Sequence, residues 1–117
     1  MAAPSARSGE LGQSPARKQG QVPEGELEGA AVRLRVTGLV HGVFFRASMA
    51  EEASSEGVKG WVRNVADGSV EAYLEGDEAK IMRVVAWAKR GPPRARVDGL
   101  ELQRTEPRGV KGFRIIG

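Results

Sequence analysis

The stretch GLVHGVFFR, residues 38–46, places two glycines, the chain's one histidine and an arginine within nine positions. In such a loop successive backbone N–H groups can curl around an oxyanion, and a helix that begins at its end adds partial positive charge. Gly38 and Gly42 would supply backbone angles that other residues resist and let the main chain come close to a ligand. Arg46 would add a planar fork of donors suited to phosphate. A cation at a helix N-terminus opposes the helix dipole, so stability is a poor reason for its presence. The glycine spacing matches neither the Walker loop nor the dinucleotide fingerprint. The residues themselves allow a phosphate nest, although a plain strand-to-helix turn is the commoner use of such a loop.

The flanking pattern shows which elements must hold this loop. Val32, Leu34 and Val36 alternate with Arg33, Arg35 and Thr37, the period of a half-buried strand. After the loop, Phe45, Met49 and Ala53 recur every four residues and Gly57 is suited to a C-terminal cap, which predicts a helix. VKGWVRNV reads as a second strand, ADG as a turn, and SVEAYLEG as a third strand with Val70, Ala72 and Leu74 on one face. Asp77 can cap a second helix whose Ile81, Val84, Val85 and Ala88 form one stripe, and Gly91, Pro92 and Pro93 stop it. A strand near VDGLELQRT and a short one at GFRIIG complete the order β-α-β-β-α-β with an addition. Two such halves pack most simply as an α+β ferredoxin-like sandwich, an antiparallel sheet with both helices on one face. That architecture serves many functions and names none.

Composition narrows the classes. The chain of 117 residues allows one domain, and no apolar run is long enough to span a bilayer. With no cysteine and a single histidine it lacks a thiol nucleophile, a disulfide framework and the usual ligands of transition metals. Residues 1–31 are rich in Gly, Pro, Ser and Gln without apolar periodicity, and are expected to be a disordered tail; residues 32–117 form the domain. The tail carries neither a secretory signal nor a transit-peptide composition, so a cytoplasmic protein is expected. Three basic and four acidic residues fall in that tail, which leaves the body near +4 and favours an anionic partner.

VTGLVHGVFFR closely resembles the signature of the acylphosphatase family, V-x-G-x-V-Q-G-V-x-F-R, and GWVRNVADGSVEAYLEG resembles the family's second signature. The resemblance runs from Val32 to the C-terminal FRII in the right order and spacing. It implies a small enzyme, without metal or cofactor, that hydrolyses acyl phosphates to a carboxylate and inorganic phosphate. It also implies that Arg46 binds the phosphate together with the backbone amides of His41, Gly42, Val43, Phe44 and Phe45, and that Asn64 positions the attacking water. His41 departs from the pattern, standing where the family usually has glutamine. A monomer acting on a small acyl phosphate is expected, with no membrane or nucleic-acid partner.

Other constellations have plainer readings. Trp61 could wall the acyl side of a substrate, though packing is its commoner use, and Trp87 and Met82 read as partly buried packing residues. Ser69 is expected to brace the hairpin, and Lys89, Arg90, Arg94 and Arg96 to be a solvated basic turn. Glu51 with Glu52 diverge on a helix, and Glu71 with Glu75 lie apart on an exposed strand face, so neither pair suits acid/base work. An RNA-binding module on the same fold would need aromatics on the open sheet face, where the first and third strands offer only Tyr73, between two glutamates.

Overall fold

The computed structural model describes residues 29–117. The expectation of a disordered tail therefore lies outside the described residues, apart from its last three; strand β1 (Ala30–Leu39) begins two positions ahead of the expected domain start. Its alternation works as the sequence implies. Val32, Leu34 and Val36 are buried, while Arg33 and Arg35 sit on the opposite face.

Helix α1 (Phe45–Glu56) buries Phe45, Met49 and Ala53, and Gly57 closes it by donating its N–H to the carbonyls of Ala53 and Ser54. Strands β2 (Lys59–Asn64) and β3 (Val70–Gly76) form a hairpin. Helix α2 (Glu78–Arg90) starts where the Asp77 carboxylate accepts the N–H of Lys80 at 3.2 Å, and it buries Ile81, Val84, Val85 and Ala88. Strand β4 (Arg96–Thr105) and the short β5 (Phe113–Ile115) follow.

The sheet order is β4-β1-β3-β2-β5. The first four strands pair antiparallel, as in a ferredoxin-like sandwich, whereas β5 runs parallel to β2, so the sheet is mixed. Both helices share one cluster with Leu34, Val36, Val62, Val70, Ala72 and Leu74, which places them on the same face. Phe45 and Trp87 join the helices with ring centroids 5.3 Å apart. Burying Phe45 there contributes about 2–3 kcal/mol.

The open face corrects two expectations. Tyr73 is 1% exposed and Glu75 8% exposed, because the connection from β4 to β5 folds over them. The Tyr73 hydroxyl donates to Glu75 at 2.6 Å, and the N–H groups of Arg108 and Gly109 reach the same carboxylate at 2.8 and 2.9 Å. Glu71 is half-buried and paired with Arg33 at 2.6 Å and Arg63 at 2.7 Å. The Glu71/Glu75 face is thus neither exposed nor unpaired, and Tyr73 offers no surface for stacking a base. Met82, expected to pack, is instead 40% exposed.

Candidate active site

The loop between β1 and α1 is shaped by its buried residues. Val40, Val43 and Phe45 enter the core, and the residues between them are forced outward. Gly42 has φ 71°, and Phe44 is left-handed at φ 66°, ψ 26°. A bulky aromatic residue in that region costs about 1–3 kcal/mol, which the two anchored neighbours over-determine. Phe44 remains 67% exposed.

The backbone donors of this turn have no acceptor among the described residues. Phe44 occupies the N-cap position with no side-chain cap, and no acidic residue lies in the first turn of α1. Among the described residues, no N–H from Gly42 to Ala47 donates to a backbone carbonyl. Left-handed residues bracketing an uncapped helix start are the geometry in which main-chain donors converge on an anion. A Cβ on Gly42 would meet nothing within 4 Å, so the loop faces open space here.

Gly38 serves a different purpose from the one expected. It has φ 126°, and a Cβ there would lie 2.1 Å from the carbonyl oxygen of Arg96. Its requirement is the close approach of β4, where the β1–β4 register shifts between Thr37 and Gly38, and not the approach of a ligand.

A cleft of about 310 Å³ opens over the loop, lined by Val40, Gly42, Phe44, Phe45, Arg46, Ala47, Asn64 and Ile115. Arg46 comes from the first turn of α1 and Asn64 is the last residue of β2; β1 and β2 both run antiparallel to β3, so the start of α1 and the end of β2 fall at the same end of the sheet. Arg46 Nη1 donates to a main-chain oxygen of Gly117 at 3.3 Å. No Asp or Glu side chain among the described residues pairs with it. The Asn64 Oδ1 is buried and has no hydrogen-bond partner among the described residues. A buried acceptor left in that state costs about 1–3 kcal/mol, which a donor brought to it would recover.

Two residues of the expected loop do not line this cleft. Val43 points into the core, and the half-buried His41 turns its Nε2 to the Ser69 carbonyl oxygen, 2.8 Å away. Trp61 lies on the open face, stacked on Tyr73 at 6.3 Å, so it packs and does not wall the cleft. Ser69 braces the hairpin as expected, its hydroxyl donating to Asp67 Oδ1 at 2.6 Å. The bonds from the Ser69 hydroxyl and N–H, and then the Arg35 guanidinium, hold the Asp67 carboxyl well below the usual range. Ile115 was missed by sequence reasoning, since nothing in a three-residue strand signals that it returns to the first helix.

With this geometry in place, comparison with known proteins is decisive. The sequence model of the family described as acylphosphatase matches residues 32–115. The chain belongs to the acylphosphatase family. An acylphosphatase of Thermococcus kodakarensis is 50% identical over 84 residues, covering 72% of this chain and 92% of that protein. The solved acylphosphatase of Coxiella burnetii superposes with a TM-score of 0.78 at 30% identity, covering 81% of this chain and all of the other. The acylphosphatase of Bacillus subtilis gives 0.74 at 32% identity, over 75% of this chain and 99% of the other. Within the acylphosphatase body, no described helix is long and apolar enough to cross a membrane.

Proposed function

We propose that this acylphosphatase hydrolyses acyl phosphates by attack of water on phosphorus, without a metal. The phosphate rests on the amides of the 42–46 turn and on the Arg46 guanidinium, which meets its oxygens as a planar fork. Asn64 Oδ1 accepts a proton bond from the nucleophilic water, and its NH2 can donate to the phosphate. The carboxamide thereby orients the water without deprotonating it. As the new P–O bond forms, the bond to the acyl oxygen breaks and its electron pair leaves on a carboxylate, while a proton of the attacking water passes to an oxygen of the transferred phosphate.

The leaving group explains why so few residues suffice. A carboxylate is already a weak base and needs no general acid, and phosphoryl transfer through a loose transition state asks mainly for positioning and charge stabilisation. A phosphate monoester would have to expel a far more basic alkoxide, and among the residues lining the cleft there is no carboxyl, imidazole or thiol to protonate it. The observation that carries this reading is the unpartnered Asn64 acceptor in the same cleft as Arg46. The proposed working unit is a single chain in the cytoplasm, a setting that the lack of cysteine suits.

The test is hydrolysis of benzoyl phosphate in excess chelator, with a phosphomonoester as control. Full turnover of the anhydride and none of the ester is expected. Loss of activity in chelator would overturn the metal-free reaction, and preference for the ester would overturn the substrate class.

A further inference from the structure

The half-buried His41 lies next to the anion loop but outside the cleft, and its ring is committed to a different partner. We infer that His41 is a positioning residue: by bonding the Ser69 carbonyl it ties the phosphate loop to the hairpin that bears Asn64, and so sets the spacing between phosphate and water. The inference rests on the acyl phosphate reading for its effect on rate, while the mechanical link itself does not.

The link is short and well supported at both ends. A carbonyl oxygen can only accept, so His41 Nε2 carries the proton and donates across 2.8 Å. The second lone pair of the same oxygen takes the N–H of Val65 at 2.9 Å, and Val65 is the residue bonded to Asn64. Two donors therefore converge on one oxygen, one from the phosphate loop and one from the residue adjoining the water-orienting carboxamide.

The hairpin end is immobilised by further bonds. Ser69 is 2% exposed, and its N–H and hydroxyl donate to Asp67 Oδ1 at 2.9 and 2.6 Å. The other Asp67 oxygen accepts from Arg35 of β1, and Gly68 N–H closes the turn onto the Val65 carbonyl at 3.0 Å. The loop end is held by Val40 and Val43 in the core. Among the described residues, the His41 bond is the only hydrogen bond between residues 40–44 and residues 65–69.

Glutamine offers an amide N–H at comparable reach from the backbone, whereas leucine keeps bulk and removes the donor. Ser69 oxygen retains Val65 in the leucine variant, so the hairpin is not left with an orphaned acceptor. The experiment measures benzoyl phosphate turnover, the inhibition constant of inorganic phosphate, and the 1H–15N cross-peaks of the Asn64 side-chain amide in the wild type, His41→Leu and His41→Gln. His41→Leu should lower kcat about tenfold through misplacement of the water. Phosphate inhibition should change little and the Asn64 peaks should shift, with His41→Gln restoring both rate and peak positions. Unmoved Asn64 peaks in His41→Leu would overturn the link, as would a kcat loss that glutamine does not rescue. Shifted Asn64 peaks in His41→Leu, together with a wild type that hydrolyses no acyl phosphate, would sustain the link and sink the reaction assigned to the cleft.

Discussion

The Tyr73 hydroxyl donates to the Glu75 carboxylate across 2.6 Å on the sheet face opposite the cleft, and this pair receives the segment that leads to β5. Arg108 and Gly109 add their N–H groups, so the Glu75 carboxylate anchors a connection that ends beside Arg46 at Ile115. Replacing Glu75 with alanine leaves those donors without their charged acceptor. A loss of about 2 kcal/mol in urea unfolding is expected, and an unchanged midpoint would refute the anchoring role.

Acid should weaken the fold through the same carboxylate. Burial pushes the Glu75 carboxyl up, but the Tyr73 hydroxyl and the Arg108 and Gly109 N–H groups outweigh it and hold the group below its ordinary value. Burial and then the Glu75 bond push the Tyr73 hydroxyl up to about 12, so it remains a donor throughout the acid range. A depressed carboxyl contributes stability that is full above the unfolded pKa of about 4 and is lost as pH falls through the folded value. Asp67, also depressed, acts in the same direction. The urea midpoint should decline below about pH 5, and Glu75→Gln should flatten that decline.

Arg46 and Asn64 share a cleft but make different contributions to it. In the proposed reaction, Arg46→Ala would remove charge from the phosphate and Asn64→Ala would remove the acceptor for water. Each should lower turnover of benzoyl phosphate by roughly 10² or more, about 3 kcal/mol of barrier, while circular dichroism shows the fold intact. Retention of most activity by either variant would remove that residue from the mechanism.

The two loop glycines should separate cleanly in mutagenesis. Gly38→Ala drives a methyl to within 2.1 Å of the Arg96 carbonyl oxygen and is expected to cost about 3 kcal/mol, visible as a lower melting temperature. Gly42→Ala meets open space and pays only for its positive φ, about 1 kcal/mol. Its larger effect should be weaker inhibition by inorganic phosphate. Equal stability losses in the two variants would contradict the distinction.

Phe44 and Ile115 are 67% and 47% exposed, and both line the cleft that holds Arg46. Their apolar surface is available to the acyl part of a substrate. Phe44→Ala should lower kcat/KM for benzoyl phosphate by about tenfold and leave acetyl phosphate nearly unaffected, since burial of one apolar group sets selectivity of that size. Equal losses on both substrates would show that Phe44 shapes the loop and not the acyl site.

Much of this was legible because local patterns carry it. The alternation at Val32–Val36, the four-residue spacing of Phe45, Met49 and Ala53, and the stripe from Ile81 to Ala88 each mark one face of one element. The loop and Asn64 were legible through the two signature blocks. The burial of Glu75 and Tyr73 was not, because the covering residues lie more than 30 positions away in a segment without periodicity. Gly38 was assigned to the ligand because a glycine's tolerance of positive φ does not reveal which atoms come near it.

The amino-acid sequence by itself determined the strands, the helices, their order and the residues able to bind an anion, since these depend on side chains a few positions apart. Tertiary structure decided that β5 runs parallel to β2 and that Ile115 joins the cleft. It also decided that His41 faces Ser69 and that a carboxamide acceptor without a partner among the described residues shares a cleft with Arg46. These are meetings of distant segments, and which segments meet depends on how the whole core packs, a quantity no short window of residues contains.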